Sequence, residues 1–232
     1  GTNGEGYILS AKEKELVLST VIDECAGRVP VYAGTGCVST KETIEQSRMA
    51  MSLGADVLSI ITPSFAQASQ DELYEHYRKV AEAVDMPIVL YNIPARTGNA
   101  LAPATVGRLA QIDNIVGAKD SSGSFTNILN YINAGKQKKN GLFSVLSGND
   151  QLIIWTLLAG GTGGIAGCAN VYPHVMASIY DLYVEGRTEE AMAANQSIGS
   201  FRDCFRYGNP NTIVKTAVGL LGHDVGSCRA PF

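Results

Sequence analysis

The stretch MPIVLYNIPARTGNALAPATVGRLAQIDNIVGAKDSSG (Met86–Gly123) decides the fold. It opens on a short, nearly continuous apolar run, MPIVLYNIP (Met86–Pro94), and ends just past another, NIVGAKD (Asn114–Asp120). Runs of this length without polar alternation read as strands covered on both faces, as in a parallel sheet. Between them, PATVGRLAQ (Pro103–Gln111) has the proline start of a short helix. Strand, helix and strand in so short a space make a βαβ unit, whose two strands lie parallel.

The same alternation extends in both directions. Upstream, VPVYAGTG (Val29–Gly36) and ADVLSIITP (Ala55–Pro63) read as strands. The helices between and around them are Ser10–Cys25, Thr40–Gly54 and Ser69–Val84. Ser10 with Glu13 three residues on is a capping box, and Gly54 is a C-terminal stop. Downstream come a helix over Ser124–Gly135, the strand LFSVLSGND (Leu142–Asp150), the helix QLIIWTLLAGG and a last strand, TGGIAGCAN (Thr162–Asn170). Beyond it only helices are readable: YPHVMASIYDLYVEG, TEEAMAANQSIGSFRDCFRY and TIVKTAVGLLG. A doubly wound open sheet and a (β/α)₈ TIM barrel share this grammar. The strands are uniformly short, and polar or glycine residues recur just past their C-terminal ends: GTG, TPS, YN, KD, SGND and CAN. Those are the positions where a barrel carries its chemistry, so the barrel is favoured. The expected division is 1–170 as the barrel and 171–232 as its final helix with a C-terminal helical extension. Six strands are readable where a closed barrel has eight. GTNGE (Gly1–Glu5) reads as a post-strand loop with no strand before it, so the barrel is expected to lack its first strands. A fragment or misplaced gene start accounts for that, the alternative being an open barrel completed by another chain.

Composition narrows the function. The chain has 232 residues, 45% hydrophobic and 17% charged, with a formal net charge of −4. That suits one large globular domain. No basic block or arginine stripe marks a nucleic-acid partner, and no apolar run reaches the ~18 residues of a membrane span. GTNGEGY does not resemble a signal peptide, and a cytoplasmic location is expected. The five cysteines (Cys25, Cys37, Cys168, Cys204, Cys228) contain no CxxC pair and read as reduced thiols rather than a disulfide scaffold. Three histidines far apart in sequence argue against zinc.

Lys119, at the end of IVGAK, is the sharpest feature. A free lysine is almost entirely protonated at neutral pH, its pKa being near ~10.4. Desolvation in a barrel interior favours the neutral amine, a nucleophile toward a carbonyl carbon. The structural alternative is a rim lysine in a salt bridge with Asp120. Tyr91, in YNIPARTG (Tyr91–Gly98), stands just past the neighbouring strand, where a phenol can pass protons. Arg96 in the same stretch can grip a carboxylate with two donors. A packed aromatic beside a surface arginine is the alternative there. The GTNGE turn offers backbone N–H groups and the Thr2 hydroxyl to a carboxylate. GGTGGIAGCAN (Gly160–Asn170) supplies glycines where the backbone must approach something closely. Either loop also fits plain turn chemistry. SGND (Ser147–Asp150) is read as the N-cap of the following helix.

Taken in order, GTNGE, YNIPARTG, GAKDSSG and GGTGGIAG resemble the dihydrodipicolinate synthase / N-acetylneuraminate lyase family of class I, Schiff-base-forming pyruvate aldolases. The resemblance covers nearly the whole chain. It implies that Lys119 is the Schiff-base lysine and Tyr91 the proton-relay tyrosine. It implies that Thr2, Asn3 and Gly4 bind the pyruvyl carboxylate, with Ile165 packed beside the pyruvyl group. No metal or organic cofactor is implied. The implied partner is a small 2-oxo acid and the implied assembly a homotetramer, a dimer of dimers. By the same comparison, the first two strands with the helix between them, and a last helical stretch after Phe232, are absent. Several positions depart from the family pattern. Arg96 looks like the synthase branch, where that arginine meets the second substrate's carboxylate. KDSSG differs from the synthase's usual KEATG, Asn3 replaces the second hydroxyl of GTTGE, and Phe65 stands where a tyrosine usually reaches across the dimer. The expected activity is C–C bond formation or cleavage on pyruvate or a pyruvate-releasing 2-oxo acid. Dihydrodipicolinate synthase (4-hydroxy-tetrahydrodipicolinate synthase) and a non-catalytic barrel paralogue are the alternatives.

Overall fold

The computed structural model describes residues 1–232. The chain forms two compact units, one of Gly1 with Leu9–Val145 and one of Thr2–Ile8 with Leu146–Phe232.

The first unit alternates strands and helices: α1 (Ala11–Cys25), β1 (Tyr32–Gly34), α2 (Thr40–Leu53), β2 (Val57–Ile61), α3 (Gln70–Ala83), β3 (Ile88–Asn92), the single turn α4 (Pro94–Thr97), α5 (Pro103–Leu109), β4 (Ile115–Asp120) and α6 (Phe125–Gly135). The expected caps are present. Ser10 and Glu13 close a capping box, as do Ser69 and Glu72, and Gly54 ends α2 in the left-handed conformation at φ 93°. Strands β1 to β4 pair in parallel and in chain order. Every residue of β3 is buried. Leu58, Ile60, Leu90, Ile115 and Ala118 of the strands are buried, as are Leu73, Tyr77, Val106, Leu109 and Ile128 of the helices. Gly117 in β4 has a steric role, since a Cβ there would lie 2.5 Å from the Ser144 carbonyl oxygen.

Between α2 and α3, His76 is buried with Nδ1 2.9 Å from the Thr40 hydroxyl. Burial pushes its pKa down to about 4. The folded state therefore refuses a proton that an unfolded imidazole accepts near pH ~6.5, so stability is lost as pH falls from there toward 4. Urea titrations at pH 7.5 and 5 should show wild type losing about 2 kcal/mol more than His76→Gln. Equal losses in the two proteins would refute this.

The second unit holds β5 (Ser144–Ser147) from Leu146 onward, a 3₁₀ turn at Asp150–Leu152, α7 (Ile153–Leu158), β6 (Gly163–Gly164), a 3₁₀ turn at Cys168–Asn170, α8 (Pro173–Val184), α9 (Thr188–Ser197), α10 (Gly199–Asp203) and α11 (Pro210–Leu220). Leu146 and Ser147 pair in parallel with Gly163 and Gly164. Ile153, Ile154, Leu157, Met176, Ile179 and Ile198 form its buried apolar cluster.

Two expectations need correction. The strand expected over Thr162–Asn170 is only Gly163–Gly164, followed by a 3₁₀ turn. Glycines supply no side chains to hold a pleated run, and Gly163 sits at φ 143°. The single helix expected over TEEAMAANQSIGSFRDCFRY is α9, α10 and a 3₁₀ turn at Cys204–Tyr207. Its first break falls at Ile198–Gly199, where glycine weakens the helix. All five cysteines are free thiols. No helix is long and apolar enough to cross a membrane.

Candidate active site

In the first unit, β3 and β4 set Tyr91 and Lys119 opposite one another in register. The Lys119 Nζ lies 4.0 Å from the centroid of the Tyr91 ring. Tyr91 is buried and Lys119 half-buried. A cation held over an aromatic face at this distance is an attractive contact. Here it fixes the amine at the C-terminal end of the strands, next to a phenol.

Asp120 is not occupied with Lys119. Its Oδ1 accepts from Asn92 Nδ2 at 2.7 Å and Asn127 Nδ2 at 3.0 Å, and its Oδ2 from the Ser122 hydroxyl at 2.6 Å. Consecutive strand residues point to opposite faces, which separates the two side chains. Asn92 in turn accepts from the Leu101 N–H at 3.0 Å. This buried polar cluster ties the ends of β3 and β4 to the following loop and helix, and it holds the strand ends that carry Tyr91 and Lys119.

A second group went unread in the sequence. The buried Thr62 hydroxyl donates to Thr97 Oγ1 at 2.8 Å, while Asn99 Nδ2 donates to the carbonyls of Pro63 and Ala66 at 2.9 and 2.8 Å. Asn99 Oδ1 accepts from the Ala68 N–H at 2.8 Å. Asn99 thus pins the loop bearing Phe65, a residue 99% exposed on a left-handed backbone at φ 80°. The TGNA text after NIPAR was the available signal, since buried Thr and Asn near a turn usually serve backbone groups. Arg96 is an exposed residue of α4, outside the Tyr91–Lys119 stack.

In the second unit, the Glu5 N–H donates to the Thr2 carbonyl at 3.1 Å and closes the GTNGE turn. Asn3 and Gly4 are exposed. Ile165 is half-buried, and its N–H donates to the Ser147 carbonyl at 2.9 Å. A Cβ on Gly167 would lie 3.0 Å from Asn3 Nδ2, so the GTNGE and GGIAG motifs are neighbours. Asn149, in SGND, caps the following 3₁₀ turn by accepting from the Gln151 N–H, as expected.

The dihydrodipicolinate synthetase family model matches residues 1–232. The chain belongs to that family. A 4-hydroxy-tetrahydrodipicolinate synthase of Methanothrix thermoacetophila is 41% identical over 233 residues, covering 100% of this chain and 77% of that protein. An uncharacterized DapA-like lyase of Halobacterium salinarum is 37% identical, with 100% and 75% covered. Among solved structures, the chloride-inhibited dihydrodipicolinate synthase of Acinetobacter baumannii, complexed with pyruvate, superposes with a TM-score of 0.94 at 35% identity, covering 100% of this chain and 78% of that one. As a member of the dihydrodipicolinate synthetase family, this chain is an α/β lyase of the pyruvate-dependent, class I aldolase type.

Proposed function

We propose that Lys119 forms a Schiff base with pyruvate or a pyruvate-releasing 2-oxo acid, and that Tyr91 moves the protons this requires. The observation that carries the reading is the Lys119 Nζ held 4.0 Å from the Tyr91 ring centroid by in-register strands. The lysine amine attacks the keto carbon, the carbinolamine loses water, and the iminium draws electrons as the C3–C4 bond is made or broken. Proton transfers to the departing oxygen and at the carbon acceptor fall to the Tyr91 hydroxyl. Thr2, Asn3 and Gly4 receive the carboxylate, with Ile165 beside the pyruvyl group. The reaction needs no metal or organic cofactor. The frame of the reading is a (β/α)₈ barrel over 1–170 with 171–232 as its last helix and helical extension. The family resemblance supports a cytoplasmic homotetramer.

Borohydride added with pyruvate should leave one covalent adduct, an N-(1-carboxyethyl) group whose net gain is one pyruvic acid less its keto oxygen, on the peptide containing Lys119. Absence of the adduct, or its persistence in Lys119→Ala, would sink the reading.

The names of the relatives favour a narrower second reading, 4-hydroxy-tetrahydrodipicolinate synthase. Arg96 supports it as the grip on the second substrate's carboxylate. Phe65 and KDSSG speak for another branch, because a phenyl ring relays no proton. Condensation of pyruvate with aspartate semialdehyde, assayed beside cleavage of sialic acid and keto-deoxy sugar acids, separates the branches.

A further inference from the structure

Asn211 and Lys215 stand one helical turn apart on α11, at the i and i+4 positions that share a helix face. Both reach the GTNGE turn. Asn211 Nδ2 donates to the Thr2 carbonyl at 2.9 Å and to the Tyr7 hydroxyl at 3.0 Å. Lys215 Nζ lies 2.6 Å from Glu5 Oε2, and the other Glu5 oxygen accepts from the Arg229 N–H at 3.0 Å. Asn211 is 2% exposed and Glu5 6% exposed, so water competes little for these bonds.

The geometry of a trans peptide gives these contacts a consequence. Across such a bond the C=O and the following N–H point in opposite directions. The Thr2–Asn3 peptide is trans, the sole cis bond being Ala230–Pro231. Drawing the Thr2 carbonyl toward α11 therefore turns the Asn3 N–H away from it, on an exposed residue. Glu5 closes the same turn from a left-handed backbone at φ 54°, a conformation that non-glycine residues keep where their surroundings enforce it. The Lys215 ammonium and the Arg229 N–H are those surroundings. The bond from Lys215 outweighs burial and holds the Glu5 carboxyl below the usual carboxylate range.

We propose that Asn211 and Lys215 are positioning residues that hold the Thr2–Gly4 turn in its carboxylate-receiving form, Lys215 acting through Glu5. This rests on the reading that the turn receives the pyruvyl carboxylate.

The test is borohydride trapping on the whole protein across a range of pyruvate concentrations. Asn211→Asp keeps the side chain's size but sets an acid against the Thr2 carbonyl in a buried place, so its thermal midpoint should fall and trapping is read well below that midpoint. It replaces the donor facing the Thr2 carbonyl with an acceptor. Half-saturating pyruvate should rise about tenfold, with trapped yield at saturation unchanged, which separates the turn's affinity from any loss of folded protein. Lys215→Met should raise it similarly, and Lys215→Arg should restore most of the affinity. If Lys215→Met fails to fold, Glu5→Gln with Lys215→Met removes the unpaired charge and should still bind pyruvate weakly. Thr2→Val serves as the control for the underlying reading. Should Thr2→Val raise the half-saturating concentration while Asn211→Asp and the Lys215 variants leave it alone, the positioning role is overturned and the carboxylate reading stands. Should none of them change it, both fall.

Discussion

Lys119→Arg is expected to lose roughly 10³-fold or more in turnover, the order lost when a covalent nucleophile is removed, while the protein stays folded. The guanidinium is never deprotonated in a protein and offers no lone pair to a keto carbon. It does keep a cation over the Tyr91 ring, where Lys119 Nζ now sits 4.0 Å from the centroid, so the packing of β3 on β4 is retained. Loss of activity with an unchanged thermal midpoint would thus isolate the amine's chemistry from its packing. Tyr91→Phe is the companion variant. It leaves the buried ring beneath the ammonium and removes the hydroxyl alone, with an expected loss of about 10²- to 10⁴-fold. Adduct should still form in Tyr91→Phe, only more slowly. Near wild-type turnover in Lys119→Arg would remove the Schiff base from the mechanism, whereas near wild-type turnover in Tyr91→Phe would only reassign the proton transfers.

The parts of this arrangement that could be read beforehand are those written locally. Ser10 with Glu13 and the glycine at 54 are signals within four residues or at a single position, and each sits where expected. The parallel strands announced themselves because both faces are covered, leaving Ile88 to Asn92 all buried. Lys119 and Tyr91 stood out because reactive side chains ended otherwise apolar runs. The alternative of a Lys119–Asp120 salt bridge fails for a reason also present in the sequence. Alternation along a strand sends it away from Lys119, toward Asn92, Ser122 and Asn127. Other features had no local trace. The i, i+4 pair Asn211 and Lys215 is visible on any helical wheel, but its partners Thr2 and Glu5 lie at the other end of the chain. Glycine-rich text likewise conceals its outcome. In GGTGG it gives a two-residue strand, whose Gly164 is there because a Cβ would press within 2.6 Å of the Ile153 side chain.

Asp150→Ala should cost about 3–5 kcal/mol of folding stability, the range found when one partner of a buried ion pair is deleted. Asp150 is 1% exposed, and its two carboxylate oxygens have separate duties. Oδ2 receives Arg202 at 2.8 Å, while Oδ1 accepts from the Cys168 N–H at 3.0 Å. Its own carbonyl accepts from Asn195 Nδ2, whose amide oxygen takes the Ile154 N–H. Truncation therefore strands a largely buried guanidinium and an interior backbone donor at once, and both losses carry a desolvation penalty. Burial, then the adjacent Asp150 carboxylate, pushes the Cys168 thiol up to about 12, so that residue stays a neutral packing group. Asp150→Asn keeps an acceptor for Cys168 and should cost less than Asp150→Ala. Combining Asp150→Ala with Arg202→Met should recover part of the loss, because no unpaired charge then remains inside. Urea unfolding of the four proteins measures all three differences. A cost below about 1 kcal/mol for Asp150→Ala would mean that the pair merely balances its own desolvation and that water replaces it freely. A large cost with recovery in the double variant would identify Asp150 as the residue that fixes the chain after Ile165. The GGIAG backbone then owes its position to an ion pair with α10, with strand pairing in β6 limited to two residues.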